Sequence, residues 1–309
     1  MLNKNWHMKI KNYWFILLVL ILGFNACGND DDVTITPPRD RSEQYLVDID
    51  SIEEFLSTHF YNYEEFEADP NSTTFQIQFD TIAGDNIDKT PLIDRPELMY
   101  KTVTDAEDVE YKLYFLKVRE GLGETATFGD STFVAYTGML LDLDVFDSSP
   151  LPIWFQLPNV VQGFREGVIE FKGATEFTEN GDGTFVYQNF GIGAIFLPSG
   201  LGYYNSPVAG TSAYAPLIFK FHMLGVNEAD QDGDGVLNIH EDLDGDRSLY
   251  SDDTDGDFVP DFLDPDDDGD NTLTKYEDLD GDGDPRNDDS DGDGIPNYLD
   301  KDSTVSTQD

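Results

Sequence analysis

Between Asp230 and Asp302 the chain repeats itself every 36 residues, and each repeat is made of aspartates at alternate positions. EDLDGD at 241–246 recurs at 277–282, and DGDFVPDFLD at 255–264 recurs as DGDGIPNYLD at 291–300. Four loops begin at Asp230, Asp253, Asp266 and Asp289, with starts 23, 13 and 23 residues apart. Alternate side chains of a tightly curled loop converge on one point. A hard cation that wants roughly 6–8 oxygens can then take several carboxylates and a backbone carbonyl at the seventh position. The ligands this spacing predicts are Asp230, Asp232, Asp234, the Val236 carbonyl and Glu241 in the first loop. In the second they are Asp253, Asp255, Asp257 and Asp264, and in the third Asp266, Asp268, Asp270 and Glu277. In the fourth they are Asp289, Asp291, Asp293 and Asp300. A merely solvating acidic tail has no reason to keep this register. Residues 228–303 are therefore expected to be organised by calcium, with little regular structure, and 304–309 to be a short tail.

This repeat resembles the EF-hand-type loop in its spacing and type-3 thrombospondin repeats in its alternating length. Phe258 and Asn271 stand where the tight turn wants glycine. The segment from Glu228 to Asp302 carries 29 acidic and 4 basic side chains, so without cations it should swell by self-repulsion. The whole chain has a net charge of -45 over 309 residues, which excludes a phosphate-tracking, nucleic-acid-binding surface as its theme.

The single cysteine, Cys27, cannot make an internal disulfide. It follows Lys4, Lys9 and Lys11, an apolar run YWFILLVLILGF at 13–24, and the small Ala26. That run is too short for a spanning helix, so residues 1–26 read as a signal peptide. The arrangement resembles a bacterial lipoprotein cleavage site, which implies lipid attachment at Cys27. The expected location is a membrane face outside the cytoplasm, the outer membrane first and the cell surface next. Gly-Asn-Asp-Asp-Asp after Cys27 resembles the acidic export signal of surface lipoproteins. Residues 27–44 are polar and proline-bearing, hence a tether.

Residues 45–105 form an N-terminal extension or a small subdomain. Within it, 51–66 has helical spacing with Ser51 and Glu54 as a capping pair, and 75–82 alternates like a strand. From Val109 to Val226 strands alternate with Gly- and Pro-rich turns. The apolar runs are VEYKLYFLKV, STFVAYTGML, IWFQL, GTFVYQ and APLIFKFHML, with one short helix near 164–171. This pattern predicts an α+β domain at 106–227 whose antiparallel sheet wraps one helix. No GxSxG, HExxH, CxxC or P-loop is present, so hydrolysis and phosphoryl transfer have no support.

YTGMLLDLDVFDSS at 136–149, VVQGFREGV at 160–168, LPSGLGYY at 197–204 and APLIFKFHMLGV at 215–226 resemble FKBP-type peptidyl-prolyl isomerases in order and spacing. REGLGETATFGD at 119–130 adds to the match. The resemblance implies an FKBP-like sheet around its helix, and an aromatic pocket of Tyr136, Phe146, Asp147, Phe155, Val160, Val161, Phe164, Tyr203 and Phe219. It implies that Phe164 forms the floor where the family usually has Trp. Asp147 would face the substrate, and the Val161 N–H and the Tyr203 hydroxyl would donate to the bound chain. Rotating an X-Pro amide breaks no bond, so no cofactor is expected for catalysis and calcium would be structural. The implied partners are Pro-containing segments of exported proteins, bound by a monomer. A non-catalytic binding module and a calcium-dependent surface protein remain as alternatives.

Overall fold

A computed structural model describes residues 37–308. The signal peptide and the lipidation site read at Cys27 lie outside the described residues. Helix α1 spans Arg41–Thr58, capped by the Asp40 carboxylate, which accepts from the Glu43 N–H at 3.0 Å. It buries Ile52, Phe55 and Leu56, a one-sided apolar face at helical spacing. This corrects the sequence reading in two ways. The helix begins inside the segment taken as tether, and Ser51 is no cap, since its hydroxyl bonds back to the Val47 carbonyl. The chain then turns at β1 (His59–Tyr61) and a separate helix α2 (Tyr63–Ala68). The strand expected over 75–82 shortens to β2 (Phe79–Thr81), which pairs with β1.

The main sheet has six antiparallel strands: β3 (Leu98–Thr104), β4 (Glu110–Arg119), β5 (Ser131–Leu140), β6 (Val145–Gln156), β9 (Gly191–Leu197) and β10 (Leu217–Asn227). Their order across the sheet is β3-β4-β9-β10-β5-β6. Between β6 and β9 come helix α3 (Gln162–Val168) and a hairpin of β7 (Glu176–Glu179) and β8 (Phe185–Gln188). β6 is an edge strand that carries Pro150 and Pro152.

The sheet is buried on both sides. On one, Phe164 and Val168 of α3, with Phe171 just beyond it, cluster with Phe219, Phe221 and Ile195. On the other, Ile52, Phe55 and Leu56 of α1 pack against Phe196, Ile218 and Leu224. Residues 41–97 are thus the second cover of the sheet, not an appendage. Each buried Phe or Leu contributes roughly 1.5–3 kcal/mol. α1 is tied down by a polar lock. The Asp48 carboxylate, 1% exposed, accepts from Gln44 Nε2 at 2.6 Å, Ser199 N at 2.7 Å and Ser199 Oγ at 2.6 Å.

The acidic tail holds only short 3-10 turns among its described residues, such as Asn238–His240 and Asp261–Leu263. It leans on the sheet domain through a small cluster of Phe128, Leu249 and Phe262. Its backbone shows six loops rather than four. Each has left-handed torsions at its fourth and sixth residues: Gly233 and Gly235, Gly245 and Arg247, Gly256 and Phe258, Gly269 and Asn271, Gly281 and Gly283, Gly292 and Gly294. The two unexpected loops begin at Asp242 and Asp278.

Candidate functional site

Strand pairing assembles the aromatic cluster. Phe221 pairs with Tyr136 across β10 and β5, and Gly138 pairs with Asp147 across β5 and β6. Gly138 is required there, because a Cβ would sit 2.7 Å from the Phe146 ring and 2.9 Å from the Phe219 ring. Phe164 projects from α3 into this space, 2% exposed, with its ring centre 5.3 Å from Phe219 and 5.7 Å from Phe155. Phe146 meets Phe219 edge-to-face at 5.7 Å and Tyr203 at 6.4 Å. Tyr136 lies 5.2 Å from Phe155. Such tilted contacts place ring edges on ring faces, the favourable aromatic geometry. Val160 and Val161 pack at the margin.

All nine residues of the expected pocket therefore lie in or beside one cluster. Its polar members sit at the rim. Asp147 is exposed at the rim, and its partner is the Tyr136 hydroxyl, which donates to Oδ2 at 2.6 Å. Burial first, then that bond to Asp147, pushes the Tyr136 phenol well above its ordinary value, so it stays a donor. Burial also raises Tyr203, with the Asp147 charge adding to it. An open cleft lined by Ser131, Trp154, Phe155, Gln156, Asn159, Val160 and Asn227 meets the cluster at Phe155 and Val160.

In the tail, carboxylate oxygens gather in groups within 4.8 Å of one another. One group is Asp232, Asp234, Glu241 and Asp267, in which Asp267 comes from a different loop and Asp230 is absent. Asp230 instead accepts from the N–H groups of Gly233, Asp234 and Gly235, shaping the turn. Other groups are Asp253, Asp255 and Asp257; Asp266, Asp268 and Asp270; Asp242, Asp244 and Asp252; and Asp278, Asp280 and Asp282. Asp264 accepts from the Asp266 N–H and Asp300 from the Asp302 N–H, so these two serve the turns that follow them. The Val236 N–H is held by Asp234. Asp289 and Asp293 similarly accept loop N–H groups, and Asp291 accepts from Asp293.

Buried carboxylates normally have partners. Here Glu241, Asp267 and Glu277, all at most 2% exposed, keep both oxygens without any. Burial, reinforced by neighbouring carboxylates, pushes Glu241 up to about 9, Asp267 to about 10 and Glu277 to about 8. Oxygen-only groups of this kind fit a hard divalent cation. A cation would supply the positive charge that each cluster lacks.

A probable FKBP-type peptidyl-prolyl cis-trans isomerase, FkpA of Neisseria meningitidis serogroup B, is 34% identical over 103 residues. The chain is similar to FKBP-type isomerases. The match covers 32% of this chain and 30% of that relative. Among solved structures, a peptidyl-prolyl cis-trans isomerase from Pseudomonas syringae pv. tomato matches at 18% identity and TM-score 0.32, covering 44% of this chain and 84% of that one. FkpA from Escherichia coli matches at 19% identity and TM-score 0.34, covering 60% and 63%. The family model that matches the tail is BamM C-terminal, over residues 231–278. That replaces the thrombospondin-type resemblance. No helix among the described residues is long and apolar enough to cross a membrane.

Proposed function

We propose that this chain is an FKBP-type peptidyl-prolyl cis-trans isomerase acting on Pro-containing segments of exported proteins. The observation that carries the reading is the cluster of Phe146, Phe155, Phe164 and Phe219, rimmed by Tyr136, Asp147 and Tyr203. Rotation about an X-Pro bond meets a barrier of about 18–20 kcal/mol, because amide resonance must be lost. The twisted amide has less charge separation than the planar one, so an apolar, water-poor floor favours it. Phe164 and Phe219 supply that floor. The Val161 N–H and the Tyr203 hydroxyl hold the flanking chain while the amide turns, an advantage realised in the transition state. Lipid on Cys27 anchors the protein outside the cytoplasm, and calcium in the acidic loops stiffens the tail.

The test is a proline-isomerisation assay on the full chain and its Phe164→Leu and Tyr203→Phe variants. The reading predicts turnover in the parent and its loss or sharp decline in both variants. No turnover in the parent, with peptide binding intact, would instead establish a second reading. In that reading the pocket binds Pro-containing segments without turnover.

A further inference from the structure

The loop that begins at Asp242 differs from its neighbours in what its sixth residue does. Arg247 adopts φ 68, a torsion that suits glycine and costs most other residues about 1–2 kcal/mol. Its guanidinium reaches the sheet domain and meets Glu166 on α3. Nε lies 3.2 Å from Oε1, and Nη2 lies 3.1 Å from Oε1 and 3.0 Å from Oε2. It also covers the Phe128 ring at 4.5 Å. Glu166 is 3% exposed and sits two positions after Phe164, the floor of the aromatic cluster. Lys101 Nζ, at 3.1 Å, and Arg165 Nε, at 3.6 Å, are the other cations near it.

The same loop makes a second contact. The Tyr250 hydroxyl donates to Asn159 Oδ1, in the turn that leads into Val160 and Val161. Leu249, 1% exposed, anchors the loop between Phe128 and Phe262. One loop therefore holds both flanks of the pocket floor, the turn Leu157–Asn159 and helix α3.

The shape of that loop depends on carboxylates that repel one another. Asp242, Asp244 and Asp252 each bring an oxygen within 4.8 Å of the others. Asp252 is 7% exposed, and its Oδ1 accepts from the N–H groups of Leu243 and Asp244. Its Oδ2 is buried without a partner, on a residue that belongs to the group of three. A buried acceptor left open beside two further carboxylates calls for a cation.

We propose that the Asp242–Asp252 loop binds a calcium-class divalent cation, and that occupancy positions the floor of the aromatic pocket through Arg247 and Tyr250. The proposal rests on the isomerase reading for its catalytic consequence only. Arg247 and Tyr250 touch no substrate in this scheme and act as positioning residues. When the cation leaves, repulsion among Asp242, Asp244 and Asp252 opens the loop. Arg247 then withdraws from Glu166, and α3 loses a tether.

The experiment is amide hydrogen exchange on the full chain with calcium, with magnesium and with chelator, beside a count of bound calcium and the isomerisation rate. Calcium should slow exchange over 157–168 about tenfold in the parent, the signature of suppressed local opening. Asp252→Asn should remove one bound calcium and that protection together. Arg247→Ala should leave the calcium count unchanged, lose the protection and lower kcat/KM, while Arg247→Lys restores part of both. Exchange over 157–168 that ignores calcium, or that responds in Arg247→Ala as in the parent, overturns the proposal. A magnesium response equal to calcium's overturns the assigned cation class. If no form shows turnover, only the isomerase reading falls, and the exchange results still decide the coupling.

Discussion

The Tyr136 hydroxyl donates to Asp147 Oδ2 at 2.6 Å, a bond between neighbouring strands at the mouth of the aromatic cluster. It aims an exposed carboxylate across the rim. Tyr136→Phe keeps the ring that packs tilted against Phe155 and releases only the carboxylate. The expected outcome is a fall in kcat/KM of about tenfold, with stability within about 1 kcal/mol of the parent. A peptide isomerisation assay and a urea titration, run side by side, separate the two effects.

Phe164 is sealed between Phe155, Phe219 and Phe221. Truncation to alanine should cost about 3–5 kcal/mol by opening a cavity. Phe164→Leu keeps much of the volume and should cost under about 2 kcal/mol while removing the flat floor. Activity should therefore collapse in the leucine variant while its urea midpoint moves little. A leucine variant with parental turnover would show that the floor does not matter.

Asp48 joins α1 to the segment Pro198–Gly202, directly before Tyr203, through both the N–H and the hydroxyl of Ser199. Burial makes its carboxyl a weaker acid, raising its pKa, while the bonds from Ser199 and Gln44 pull it back. Asp48→Ala leaves the Ser199 donors buried and open, so a loss of about 2–4 kcal/mol is expected. Because the same lock fixes the approach to Tyr203, KM for a Pro-containing peptide should rise as well. Thermal unfolding and steady-state kinetics check the two halves.

His222 lies on the face of β10 opposite the rings, 8% exposed and beside Phe190, with no partner for Nε2. Burial, aided slightly by Arg119 and Lys220, pushes it down to about 4. The unfolded chain then takes up a proton near pH 6.5 that the folded chain refuses until about 4. The stability due to neutral His222 is complete above about pH 6.5 and declines as the pH falls through that window, by at most about 3 kcal/mol. His222→Gln should flatten the difference between urea titrations at neutral and mildly acidic pH. An unchanged pH slope in the variant would rule out His222 as its source.

Chelation should act on the tail first. With 29 acidic side chains against 4 basic ones between Glu228 and Asp302, its loops have no internal charge balance. Small-angle scattering should show compaction on adding calcium and expansion with chelator. Added monovalent salt should partly mimic calcium in the expanded form, since it screens exposed repulsion. A radius of gyration indifferent to calcium would remove the tail's proposed organising ion.

Much of this was legible in the residues. The aromatic cluster is legible only through the resemblance of its segments to FKBP-type isomerases; the pairing of β5 with β6 and β10 brings several of those segments together. β9 was missed because Gly191–Leu197 is buried on both faces and shows no alternation. Helix α1 was misplaced because Ser51 and Glu54 imitate a cap, whereas Asp40 provides the real one. The loops at Asp242 and Asp278 are harder to read because Ser248 and Asp284 stand at the seventh position, where Val236, Val259 and Ile295 are apolar in three of the others. Asp267 was invisible for a different reason. It joins Asp232, Asp234 and Glu241 from a separate repeat, and no local spacing encodes a contact made across the fold.

The prolines of β6 bear on how such a pocket handles an extended chain. Asp147 and Phe155 lie on that outer strand, so a segment reaching the rings passes along an open sheet margin. Bare strand margins recruit unfolded chains through their own backbone, without regard to sequence. Pro150 and Pro152 lack the N–H that such annexation needs, and they interrupt the margin beside the pocket. On the proposed isomerase reading, a passing chain would be held by its side chains and let go again, a release property built into the strand itself.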